Sequence, residues 1–158
     1  MEKMNSGDLE ESVKGWKGKI QEVNKGSLQW DKDLIFNART QRGYEVEFDA
    51  AMQWGCSPTE TLIMSLAGCL AIDMVFFLKK MRAEITSFRI DYDGKRNPDP
   101  PQYYKSIEMM IKVSGSGLTP KKLERAISLS QEKYCSVYHS LRNDIEVKIN
   151  YTIGESGD

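Results

Sequence analysis

A mixed α+β fold is the expectation for this 158-residue chain, and three observations carry it. Short runs alternate apolar and polar residues with a period of two, as half-buried strands do. Two stretches open on a hydroxyl residue followed by proline, Ser57-Pro58 and Thr119-Pro120. That is the start of a helix: the hydroxyl caps it, and proline at the first helical position gives up an N–H that has no partner there anyway. One of the two helices is apolar all round, which demands cover on every side. A composition of 40% hydrophobic and 28% charged residues lies in the ordinary globular range. At about 150 residues per domain the chain makes one; its polar start reads as an N-terminal tail or lead-in segment, and the bounds expected are 1–27 for that segment and 28–158 for the single domain.

Taken in order, Leu34-Ile35-Phe36 and Tyr44-Glu45-Val46-Glu47-Phe48 read as short strands with a turn at Arg42-Gly43. Phe88, Ile90 and Tyr92 alternate next. Asn97-Pro98-Asp99-Pro100-Pro101 then interrupts the ladder, because proline cannot donate to it. Ile107, Met109, Ile111 and Val113 form another alternating run, and Ile145, Val147, Ile149, Tyr151 and Ile153 the cleanest of all. The helix from Pro120 to about Tyr134 is amphipathic: Leu123, Ala126, Ile127 and Ser130 share a face, with Lys121, Lys122, Glu124 and Arg125 elsewhere. It is expected to lay that face on a sheet.

The helix that starts at Pro58 has only Ser65, Gly68, Cys69 and Asp73 as interruptions between Leu62 and Leu78. Asp73, near its middle, argues against a membrane span, since a carboxylate there costs about 2.5–3.5 kcal/mol even on lenient insertion scales. From Pro58 to Arg82 such a helix would run about 37 Å, the width of a small domain. One subunit can hardly enclose it. A second copy packed against the same helix, in a twofold homodimer, is the simplest cover.

Charge and cysteine usage exclude several classes. With 22 Lys+Arg against 23 Asp+Glu the net charge is −1, so neither nucleic acid nor an anionic membrane meets a cationic field. Met1 to Lys14 holds no secretory apolar run, which gives a cytoplasmic expectation. In that compartment Cys56, Cys69 and Cys135 are thiols at rest. Three cysteines and the single His139, with no C-x-x-C pair, make no zinc pattern, and no cofactor of any kind is expected.

Ser65, Cys69 and Asp73 fall at successive i+4 steps, one narrow polar stripe on an apolar cylinder. Cys69 lies eleven positions past Pro58, beyond reach of the helix dipole. An ionised Asp73 beside it would oppose a thiolate, so a reactive Cys69 calls for a cation from elsewhere in the fold. Cys135 ends the second helix in Glu132-Lys133-Tyr134-Cys135-Ser136-Val137, one turn before His139.

Ser57-Pro58-Thr59-Glu60-Thr61-Leu62 leading into Ala67-Gly68-Cys69, with Tyr134-Cys135-Ser136-Val137 before a last strand, resembles the OsmC/Ohr family. The likeness covers about Leu28 to Ile153, and Gly-Cys-x-x-x-Asp places it nearer the OsmC-like branch. The resemblance implies an intertwined α+β homodimer built on an antiparallel sheet and a long buried central helix. It also implies a thiol-dependent peroxidase for oxidative-stress defence, reducing alkyl or lipid hydroperoxides to alcohols. Carried over residue by residue, Cys69 matches the peroxidatic thiol and Cys135 the resolving thiol. A dithiol such as dihydrolipoamide would reduce the disulfide between them.

The chain departs from the family at the groups that activate the first cysteine. The family carboxylate, ten positions before that cysteine, falls on Thr59; Glu60 is nine before it. Ten helical steps leave two residues about 80° apart, whereas nine set them on opposite sides. Glu60 is the catalytic carboxylate candidate, and it also completes an S-x-x-E capping box with Ser57. The strand that resembles the carrier of the activating arginine has Glu45 and Glu47 instead, with Arg39 and Arg42 nearby. Two other readings stay open: a catalytically silent dimer that binds an apolar small molecule, and a cysteine redox sensor.

Overall fold

The computed structural model describes residues 22–154, together with Glu11 and Gly15. The lead-in segment expected over 1–27 therefore lies mostly outside the described residues. The chain divides between Leu62 and Ile63 into two compact units, and one long helix runs through the division.

The first unit holds a three-stranded antiparallel sheet, β1 (Gly26–Lys32), β2 (Ile35–Thr40) and β3 (Glu45–Asp49), in the order β1-β2-β3. β1 had no clear signal in the sequence, since Gly26 to Lys32 mixes Ser, Gln and Asp with Leu28 and Trp30. Its register shows why it forms. Leu28, Ala38 and Val46 lie in one row across the strands, and Trp30, Phe36 and Phe48 in the next, so pairing gathers the apolar residues on one face. That face is open: Leu28 is 60% and Trp30 63% exposed. After β3 the chain turns on Asp49, whose buried carboxylate accepts the backbone N–H groups of Ala51, Gln53 and Trp54 at 2.8–3.1 Å. These three bonds hold the Asp49 carboxyl below the usual carboxylate range.

Helix α1 (Pro58–Lys80) begins on a reciprocal cap. The Ser57 hydroxyl accepts from Glu60 N–H at 3.3 Å, while Glu60 Oε2 accepts from Ser57 N–H at 2.7 Å and from its hydroxyl at 2.9 Å. In the second unit α1 buries Ile63, Leu66, Ala67, Leu70, Asp73, Met74, Phe77 and Leu78, a stripe at steps of three and four. Its other side is not covered: Met64 is 48% and Ile72 58% exposed in the single chain. By length and composition alone α1 could also cross a membrane.

β4 (Glu84–Arg96) and β5 (Tyr104–Ser116) form a long antiparallel hairpin. Gly115 sits at φ +151 where the two strands touch, and a Cβ there would fall on the carbonyl oxygen of Glu84. Next come α2 (Pro120–Leu129), a π-helical turn (Ser130–Tyr134), the single turn α3 (Ser136–His139) and the last strand β6 (Glu146–Gly154). β6 lies parallel to β5, so this sheet is mixed rather than wholly antiparallel. A parallel neighbour needs a long crossover, and the α2–α3 segment supplies it. Ile107, Met109, Ile111 and Val113 face inward from the central strand β5, and Leu66 and Leu70 of α1 approach Met109, Val147 and Ile149.

The second helix was expected to continue regularly to Tyr134. It stays α-helical only to Leu129, after which the Cys135 N–H bonds back to Ser130 O at 2.8 Å, a five-residue step. The wider turn ends with Cys135 in an extended conformation, φ −74 and ψ 96. Such turns recur at functional sites because they re-aim side chains a regular helix would point elsewhere.

Candidate active site

Three side chains converge inside the second unit. Cys69 Sγ, Cys135 Sγ and a carboxylate oxygen of Asp73 all lie within 4.8 Å of one another. Two of them come from α1 at an i+4 spacing, and the third arrives from the far end of the π-helical turn. The polar stripe read on α1 thus runs from solvent to core: Ser65 is exposed, Cys69 half-buried and Asp73 buried.

The π-helical turn serves this site at both ends. Its first residue, Ser130, is wholly buried and donates its hydroxyl to Asp73 Oδ2 at 2.8 Å. Just past its last, Cys135 is 1% exposed and caps α3, its sulfur accepting the Tyr138 N–H at 3.4 Å. Tyr134, the residue before Cys135, packs its ring on Phe77 of α1 at a centroid separation of 5.3 Å. Beside Cys135 a cavity of about 10 Å³ remains, lined among others by Leu66, Leu70, Met109, Ser130 and Tyr138. That is room for one water molecule.

The electrostatics distinguish the two thiols. A hydrogen bond with Cys69 and then burial push the Cys135 thiol far above the ordinary thiol range, and the Asp73 carboxylate acts in the same direction. Cys135 therefore keeps its proton and can donate it toward the Cys69 sulfur. Cys69 is also the more accessible of the two.

The other candidate residues have different surroundings. The Glu60 carboxylate is turned back on Ser57, whose N–H and hydroxyl hold it below the usual carboxylate range. The His139 ring is exposed and stands edge-on to Tyr138 at 5.6 Å; its backbone N–H, bonded to Cys135 O at 3.1 Å, is what links it to the cysteine. Cys56, in the first unit, lies 2.9 Å from the Thr61 hydroxyl. Arg39 pairs with Glu45 at 3.7 Å on the surface of the first sheet. Sequence reasoning missed Ser130 as a site residue. The signal was present, since it is a polar side chain on the apolar face of its helix.

Comparison with known proteins agrees with this architecture. The family model described as OsmC-like protein matches residues 49–150. Protein YhfA of Escherichia coli K12 is 28% identical over 127 residues, covering 80% of this chain and 95% of its own. A hypothetical protein of Aquifex aeolicus, solved by crystallography, is 30% identical with a TM-score of 0.78, over 86% of this chain and 99% of that one. The organic hydroperoxide resistance protein OhrB of Bacillus subtilis is 18% identical, with a TM-score of 0.58 over 82% of this chain and 98% of its own, a likeness of fold.

Proposed function

The chain belongs to the OsmC-like protein family and has its fold, and on that premise we propose that it is a two-cysteine peroxidase for organic hydroperoxides. One observation carries the reading: two thiols 66 residues apart in sequence meet within 4.8 Å, one half-buried and the other buried. The half-buried Cys69 meets the peroxide. Its thiolate attacks the terminal oxygen, the O–O bond breaks, and the alkoxide takes a proton and leaves as the alcohol. Cys69 is then a sulfenic acid. Cys135 condenses with it, water leaves and a disulfide forms. A dithiol reductant restores both thiols and completes the cycle.

The S–H of Cys135 supports the first step, because a hydrogen bond donated to the Cys69 sulfur favours its anion. Asp73 opposes that anion, which leaves a role for a cation beyond this trio. A homodimer fits the same reading. The open apolar face of the first sheet and the Met64/Ile72 side of α1 both present surface that a second copy would cover. The similarity in fold to a hydroperoxide resistance protein supports the choice of substrate class.

The test is mass spectrometry of the reduced protein after one equivalent of cumene hydroperoxide. The expected result is loss of two hydrogens with a Cys69–Cys135 cross-link, and no turnover in Cys69→Ser. Persistence of both free thiols after the peroxide is added would overturn the reading.

A further inference from the structure

We propose that Cys69, Asp73 and Cys135 form a binding site for one thiophilic divalent cation, zinc(II) being the ion their chemistry suits best, filled when both sulfurs are reduced. The sequence shows no zinc pattern because the ligands are scattered along it. The fold gathers them. Two sulfurs and one carboxylate oxygen already lie within 4.8 Å of one another. Tetrahedral zinc, with Zn–S near 2.3 Å and Zn–O about 2.0–2.2 Å, sets its donors about 3.5–3.8 Å apart, so no edge of the triangle needs to close by more than about 1.3 Å.

Four further features favour a metal. Cys69 and Asp73 stand at i and i+4 on one helix, the spacing by which metalloprotease helices present two ligands to zinc. The Ser130 hydroxyl at 2.8 Å fixes the rotation of the Asp73 carboxylate, as outer hydrogen bonds do for ligating carboxylates. Cys69 is only half-buried, so solvent reaches the trio from that side and can supply the water that completes a four-coordinate zinc. Two thiolates also select a soft or borderline ion over magnesium or calcium.

The charge balances. One divalent ion displaces two thiol protons to solvent, so the net charge of this buried pocket does not change. Disulfide formation takes the same two sulfurs, so oxidation and metal binding exclude each other. The inference stands apart from the peroxidase reading, since a trio without peroxide chemistry would still bind the ion.

The experiment uses cobalt(II) as a coloured probe on the reduced, metal-free protein carrying Cys56→Ser, which removes the unrelated thiol. The expected result is one equivalent bound with thiolate charge-transfer absorption and the visible bands of tetrahedral cobalt, displaced by zinc(II) and absent from the disulfide form. Cys69→Ser, Cys135→Ser and Asp73→Asn are each expected to weaken binding by about tenfold or more. In the unmutated protein, stoichiometric zinc is expected to shield the half-buried Cys69 from alkylation while Cys56 still reacts. An octahedral cobalt spectrum without charge transfer, or alkylation of Cys69 unchanged by zinc, would overturn the proposal.

Discussion

Replacing Ser130 by alanine tests the clamp that joins the two halves of the site. The Ser130 hydroxyl is wholly buried and donates at 2.8 Å to Asp73, itself 1% exposed. A hydrogen bond onto a carboxylate contributes about 1.5–3 kcal/mol. The folded-to-unfolded ratio should therefore fall by about 10- to 160-fold. With a urea dependence near 2 kcal/mol/M, the unfolding midpoint should drop by about 0.75–1.5 M. Ser128→Ala is the matched control: its hydroxyl bonds Glu132 at 2.9 Å in an exposed position, so the change should stay within about 0.5 kcal/mol. A double-mutant cycle with Asp73→Asn should return a coupling of about 1 kcal/mol or more. If Ser130→Ala moves the midpoint no further than Ser128→Ala does, the clamp does not exist and the account of the π-helical turn is wrong.

Phe77→Ala removes a fully buried ring packed against Tyr134 and should cost about 3–5 kcal/mol by denaturant titration; a loss under 1 kcal/mol would show that this packing is loose. Asp49 has a depressed carboxyl pKa in the folded chain, so its contribution is present above the unfolded value, near 3.9, and is lost as pH falls through the lower folded value. Unfolding followed from pH 6 to 2 should show that loss, and Asp49→Asn should flatten it; equal slopes for the two proteins would contradict the three backbone bonds. Gly115→Ala combines positive φ with a Cβ driven onto Glu84 and should destabilise by about 1–3 kcal/mol in thermal unfolding, with an unchanged melting temperature refuting the close approach.

The elements with regular periodicity were legible from the amino-acid order. Ile107 to Val113 and Ile145 to Ile153 became β5 and β6, and both Ser/Thr-Pro starts opened helices, because alternation and capping are local properties. β1 was not legible: its pattern makes sense only beside β2 and β3, where Leu28 and Trp30 join their apolar rows. The break at Leu129 was hidden for a related reason. Nothing local in Ser-Gln-Glu-Lys-Tyr marks a wider turn, and what accompanies it is the seating of Ser130 on Asp73 and of Cys135 beside Cys69.

The amino-acid order by itself determined where the helices begin and which faces are apolar, since short-range backbone preference and periodicity set these. Only the tertiary structure decided that Cys69 meets Cys135 and Asp73 and that Ser130 rather than His139 bears on the trio. A distance between side chains far apart in the chain depends on how sheets and helices pack, and no local rule contains it.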